Sequence, residues 1–189
     1  MSKPIYEIDI TPQDDTIKKI AEATKHALGY LPENFRPHIA IKEPFAPKDD
    51  ISLDSFCDIL SEKISAIKTL KINLPKIKFF YHKYSPLQHK TIYLEVIKNK
   101  ELADLHKTVI REVNKISTDV YGSHKRHEKD YVPHLSLEWE ITKNFDELLA
   151  KFNSKNLKFI FEVEKIDLFE EVDPDKVMYK KVKSFYLQK

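Results

Sequence analysis

Glycine is nearly absent: Gly29 and Gly122 are the only two in 189 residues. The phosphate-cradling loops GxGxxG and GxxxxGKS/T need clustered glycines where backbone meets ligand, so a dinucleotide fold and a P-loop nucleotidase are both excluded. Cysteine is scarcer still. Cys57 alone gives no internal disulfide and no multi-cysteine zinc centre. It lies in an apolar helical pattern, where it is expected buried and inert, in keeping with a reducing compartment. No apolar run approaches the ~18 residues of a membrane span, and the opening Met1-Ser2-Lys3-Pro4 leads into no signal-like stretch. A cytoplasmic monomer is the expectation. An excess of one charge is also missing, with 32 basic and 30 acidic residues and a net charge of +2. That balance argues against an extended nucleic-acid groove while allowing a basic patch over one phosphate.

What is present is a duplication. Phe35-Arg36-Pro37-His38-Ile39-Ala40-Ile41 returns 96 positions later as Tyr131-Val132-Pro133-His134-Leu135-Ser136-Leu137. The shared pattern is aromatic, any, Pro, His, aliphatic, small, aliphatic. A repeat of this kind points to an architecture of two like units.

The flanking patterns repeat too. Residues 5–10 alternate as a half-buried strand does. Thr11-Pro12-Gln13-Asp14 reads as a helix start with Thr11 as cap. Ile17, Ile20, Ala21, Thr24 and Leu28 share a face, and Gly29 ends the helix. A second helix carries Leu53, Phe56, Cys57, Leu60, Ile64 and Ile67, and a strand over 70–81 closes the half. Tyr84-Ser85-Pro86 reads as a turn. The second half runs in the same order: a strand with Ile92, Leu94 and Val96; a helix with Leu102, Leu105, Val109, Val113, Ile116 and Val120; the strand around His134; and a helix over about 144–152. One long strand then follows, bulged where the alternation of Leu157 to Val163 slips before Ile166 and Leu168. A last strand over 177–187 has no first-half counterpart. The expected fold class is α+β, a bilobal duplication of a β-α-β-α-β unit with mainly antiparallel sheets around a central cleft. The lobes would be residues 1–84 and 88–189 of one domain.

On a strand, alternate residues share a face. His38, Ala40 and Lys42 then point one way, and His134, Ser136 and Glu138 do likewise, while Ile39, Ile41, Leu135 and Leu137 face a core. If the middle strands meet, two histidines face one groove. Near neutral pH such a pair offers one neutral base and one charged acid. A hydroxyl two residues on can hold a phosphate oxygen. That equipment serves in-line phosphodiester displacement without a metal.

Here the sequence resembles a known family. The paired His-x-small/hydroxyl-aliphatic segments resemble the motifs of the 2H phosphoesterase superfamily, which includes the bacterial 2'-5' RNA ligases of the LigT type and cyclic nucleotide phosphodiesterases. Pro37-His38-Ile39-Ala40-Ile41-Lys42-Glu43-Pro44-Phe45 is especially similar to the first motif of its small Bacillus-type members. The resemblance implies a LigT-like fold, His38 and His134 as catalytic residues and Ser136 as a phosphate ligand. It implies an RNA end or a cyclic nucleotide as substrate, with no cofactor and no metal. Ala40 departs from the family pattern, which has Thr or Ser there. The missing hydrogen bond is worth roughly 1.5–3 kcal/mol, about tenfold to a hundredfold in rate. Lys42, on the same strand face, is the candidate replacement donor; a salt bridge to Glu138 is its other reading. Two other classes remain open: a nucleotide or RNA sensor that binds without turnover, and a structural duplication whose histidines never meet.

The remaining features are read as structural. The polar stretch 123–130, with His124 and His127, is a solvated loop or a guide for RNA phosphates. His26, His82, His89 and His106 are expected on the surface. Phe79, Phe80 and Tyr81 are expected in the core with one ring able to line the cleft, and Trp139 is expected to pack on the aliphatic side.

Overall fold

The structure, a computed structural model, describes residues 3–83, 85–86, 88–120 and 130–189. The elements run β1 (Tyr6–Ile10), α1 (Asp14–Leu28), β2 (Ile39–Pro47), α2 (Leu53–Ile64), β3 (Leu70–Leu74), β4 (Ile77–Tyr81), β5 (Lys90–Glu95), α3 (Lys100–Ile116), β6 (Ser117–Asp119), β7 (His134–Ile141), α4 (Phe145–Ser154), β8 (Phe159–Val163), β9 (Lys165–Asp173) and β10 (Met178–Tyr186).

Local chemistry accounts for three of the helix ends. Ser52 caps α2 by accepting the Ser55 N–H at 3.2 Å, and Asn99 caps α3 by accepting the Leu102 N–H at 2.8 Å. Gly29 stops α1 at φ 85°, a left-handed conformation that costs glycine little. Thr11 is not the α1 cap: the helix starts after Gln13, which makes no side-chain cap. The buried face of α1 is Thr16, Ile20, Ala23, Thr24 and Ala27. It is turned from the expected one, with Ile17, Ala21 and Leu28 at its margins. Val120 lies beyond α3, because residues 117–119 turn into a short strand beside β2.

The large sheet has the order β10-β9-β1-β2-β7-β5-β4, with β6 also on β2; β3 and β8 form a separate pair. Every ladder between these strands is antiparallel. The order is symmetric about the β2–β7 contact. It pairs β1 with β5 and β9 with β4 as counterparts, and leaves β10 as the addition foreseen after residue 177. The two expected long strands are each broken in two, at Pro75-Lys76 and at Glu164. Their first parts, β3 and β8, pair with each other. Their second parts cross over: β4 lies on β5 and β9 lies on β1. Helices cross as well, α1 against α4 and α2 against α3. The two wings of the sheet therefore do not coincide with residues 1–84 and 88–189; each half completes its wing with strands of the other. One core runs through both, with Ile8, Ile10, Ile39, Phe45, Phe56, Leu60, Ile92, Leu94, Leu105, Leu135 and Leu168 excluded from solvent. Cys57 is buried, as expected.

Candidate active site

β2 and β7 are held to each other where Ile39 lies opposite Leu135. Extending that antiparallel register by one residue each way sets His38 across from Ser136 and Ala40 across from His134. The two strands then diverge, and the far end of β2 pairs instead with β6, Phe45 opposite Asp119. The divergence opens a cleft of about 770 Å³ lined by His38, Ala40, His134 and Ser136 among others. Three of the four sequence-chosen site residues are thus brought together.

Lys42 is the exception. It is 2% exposed and is not among the cleft-lining residues, whereas Ile41 and Glu43 are. The cause is a bulge. In the β1–β2 ladder Asp9 faces Ala40 but Ile8 faces Lys42, so Ile41 is an extra residue and the alternation slips. The same slip occurs in the other half. In the β5–β7 ladder Tyr93 faces Ser136 but Ile92 faces Glu138, which makes Leu137 the extra residue. Trp139 is accordingly not packed away; it lines the cleft at 49% exposure.

The prolines have a shared geometric use. Each fixes the residue before it in an extended conformation. That residue's carbonyl accepts a hydrogen bond from the histidine that follows the proline: His38 Nδ1–H donates to Arg36 O at 2.7 Å, and His134 Nδ1–H to Val132 O at 2.9 Å. The tautomer follows, since a carbonyl can only accept: Nδ1 carries a proton on both rings.

Their surroundings differ. Arg36 binds Asp9 at 2.6 Å and also Glu7, and its guanidinium lies between the rings of Phe169 and Tyr179, 4.2 and 4.8 Å from the centroids. Glu7, Asp9 and His38 lie close enough to suit a cation, and Arg36 is the cation that meets the two carboxylates. Burial and neighbouring Asp167 push the Asp9 carboxyl well above the usual range. Burial first, then the charge of Arg36, hold His38 far below its ordinary value, at about 3; the carbonyl bond opposes this and a charge on His134 adds to it. His134 instead meets rings edge-on, Phe80 at 5.0 Å and Tyr93 at 5.4 Å between centroids.

Several neighbours escaped the sequence. Glu7 and Asp9 looked like the wet face of a half-buried strand, yet all of β1 is buried because β2 and β9 flank it and Arg36 covers its polar side. His106 is buried, not on the surface, and stacks on Tyr131 at 3.7 Å with the planes 4° apart. His82 and His89 line the cleft, stacked at 4.4 Å, with His82 bonded to Thr91 at 3.1 Å. Of the aromatic run, Phe80 lines the cleft and stacks on Tyr93 at 4.1 Å. Phe79 and Tyr81 are half exposed, because β4 is an edge strand. Tyr84 and residues 123–129, including His124 and His127, lie outside the described residues.

Comparison with known proteins agrees with this architecture. The sequence model of the 2'-5' RNA ligase superfamily matches residues 12–175. Escherichia coli LigT complexed with phosphate is similar over 100% of both chains, at 12% identity and a TM-score of 0.60. TT0787 of Thermus thermophilus is similar over 97% of this chain and 98% of its own, at 11% identity and a TM-score of 0.65. Usb1 of Kluyveromyces marxianus gives 98% and 99%, 12% identity and 0.54. No curated protein matches significantly by sequence. With the family match spanning most of its length and this fold around paired Pro-His strands, the chain belongs to the 2'-5' RNA ligase superfamily, within the 2H phosphoesterases.

Proposed function

We propose that the protein is a metal-independent phosphoesterase acting on 2',3'-cyclic phosphates or 2'-5' linkages of RNA or nucleotides, with His38 as general base and His134 as general acid. The observation that carries this reading is the pair of matched histidines lining one cleft, each with Nδ1 anchored to a backbone carbonyl. E. coli LigT, a structural neighbour, has been crystallised with 3'-AMP as well as phosphate, which favours a nucleotide or RNA ligand here.

For a 2',3'-cyclic phosphate, His38 Nε2 takes a proton from water as the water oxygen attacks phosphorus. The bond from phosphorus to one ribose oxygen breaks, and His134 Nε2–H gives its proton to that oxygen. His38 ends protonated and His134 neutral, and exchange with solvent resets both. Ser136, across from His38, donates to a nonbridging oxygen. The surroundings of His38 support its assignment as the base: burial and the nearby charge of Arg36 favour its neutral form. Phosphate binding raises its basicity, because the anion favours the imidazolium. Lys42 has no part, being buried away from the cleft.

The test is ring opening of 2',3'-cyclic AMP followed by chromatography, with and without chelator. Product formation unaffected by chelator is expected. Binding of the nucleotide with no product would replace the enzyme by a sensor, and strict dependence on added magnesium or zinc would overturn the metal-free mechanism.

A further inference from the structure

We infer that the Tyr131 hydroxyl supplies the phosphate-oxygen hydrogen bond that Ala40 cannot make, so that both hydroxyl donors of the site come from the second half. The inference rests on the phosphoesterase reading and gives a further residue to that site. The register places Ser136 across from His38, which leaves the side beside His134, where Ala40 sits, without a motif hydroxyl. Between Ile39 and Phe45 the outer edge of β2 has no ladder partner among the described residues, since β7 has parted and β6 has not begun. In that gap the Tyr131 O–H donates to Ala40 O at 2.9 Å. Tyr131, Ala40 and both histidines line the same cleft.

The ring is held for the purpose. His106 stacks on it almost face to face, and Lys98 donates to its backbone carbonyl at 3.2 Å. Burial pushes the phenol far up, so the hydroxyl keeps its proton at any working pH. A phosphate oxygen carries charge and is a stronger acceptor than a carbonyl. Rotation about the phenol C–O bond turns the proton from Ala40 O to the phosphate without moving the oxygen. The counterpart of Tyr131 in the repeat is Phe35, which has no hydroxyl. Each half therefore carries both hydroxyls or neither.

The experiment is a double-mutant cycle on Tyr131→Phe and Ala40→Ser. It is read by kcat and KM for 2',3'-cyclic AMP, by affinity for inorganic phosphate, and by melting temperature. Tyr131→Phe is expected to lower kcat/KM about tenfold to a hundredfold. Ala40→Ser is expected to gain at least about fivefold more in the Tyr131→Phe background than in the wild type, because a second hydroxyl matters only when the first is gone. Full activity in Tyr131→Phe overturns the inference, as does a loss tracking the melting temperature that Ala40→Ser does not repair. If Tyr131→Phe does not fold, Ala40→Ser alone decides: a rise near tenfold means the place was unfilled and overturns it, and a change below about threefold supports it. If the wild type opens no cyclic phosphate, the phosphoesterase reading fails. The same cycle read by phosphate affinity still decides the role of Tyr131.

Discussion

The two motif segments share a backbone and differ in what surrounds it. Both histidines follow proline, both give Nδ1–H to the carbonyl before that proline, and both strands slip their alternation at the third residue after the histidine, Ile41 and Leu137. Around this common frame the first half sets charge, with Arg36 between Glu7 and Asp9, and the second sets rings, with Phe80 and Tyr93 against His134. Duplication preserved the geometry that positions two nitrogens. The neighbours diverged: burial and the charge of Arg36 hold His38 well below its ordinary value, while His134 sits edge-on against two rings.

Removing the charge of Arg36 breaks this comparison most severely. Arg36→Met strands Glu7 and Asp9 in a buried setting, at an expected cost of about 3–5 kcal/mol in urea unfolding. The equivalent Val132, 56% exposed, can become Met or Arg for less than about 0.5 kcal/mol. A similar small loss at both positions would show that the first-half cluster holds nothing together.

The histidines come next. His38→Ala and His134→Ala should each reduce kcat by at least about a hundredfold, since each removes one of two proton transfers, while circular dichroism stays native. Near-normal turnover in either variant would end the two-histidine mechanism. Ser136→Ala should cost less, about tenfold, the value of one hydrogen bond to a charged group with water partly replacing it. An unchanged rate would remove Ser136 from the phosphate site.

The smallest effects sharpen the asymmetry through pH. In the folded chain His38 takes a proton only at about 3, against 6.5 for an ordinary histidine. The unfolded chain therefore takes up the extra proton as pH falls through that window. This contribution to stability is complete above 6.5 and is lost progressively toward 3. Urea midpoints followed from about pH 7 to about pH 4 should fall more steeply in wild type than in His38→Asn; equal slopes would mean His38 is not held neutral. In activity, kcat/KM reports the free protein and kcat the complex. The acid-side decline should appear at higher pH in kcat, because bound phosphate favours protonated His38. Coincident profiles would contradict that coupling.

The duplication, most of the elements and the turning of His38, His134 and Ser136 toward one cleft were legible in the sequence, because these depend on periods and on local residue chemistry. Pro-His on a strand is local, and so is the Gly29 stop. Swapped strands are not local. Pro75 and Glu164 mark breaks, but which sheet each fragment joins depends on where the partner edges lie. Lys42 and Trp139 were misplaced because strict alternation was carried through Ile41 and Leu137, where the strand curvature needed to open the cleft demands an extra residue.

What the sequence determined by itself, then, is that two like units each present a histidine beside an aliphatic face, since hydrophobic periodicity and proline act within a few residues. The tertiary structure alone decided what those histidines meet. Arg36 reaches Glu7 and Asp9 only because β1 pairs with β2, and Tyr131 reaches Ala40 only because β7 leaves β2 after Ile39. Proton affinity and hydrogen-bond partnership are set by groups far apart in the chain and close in space, and no pattern along the chain records that distance.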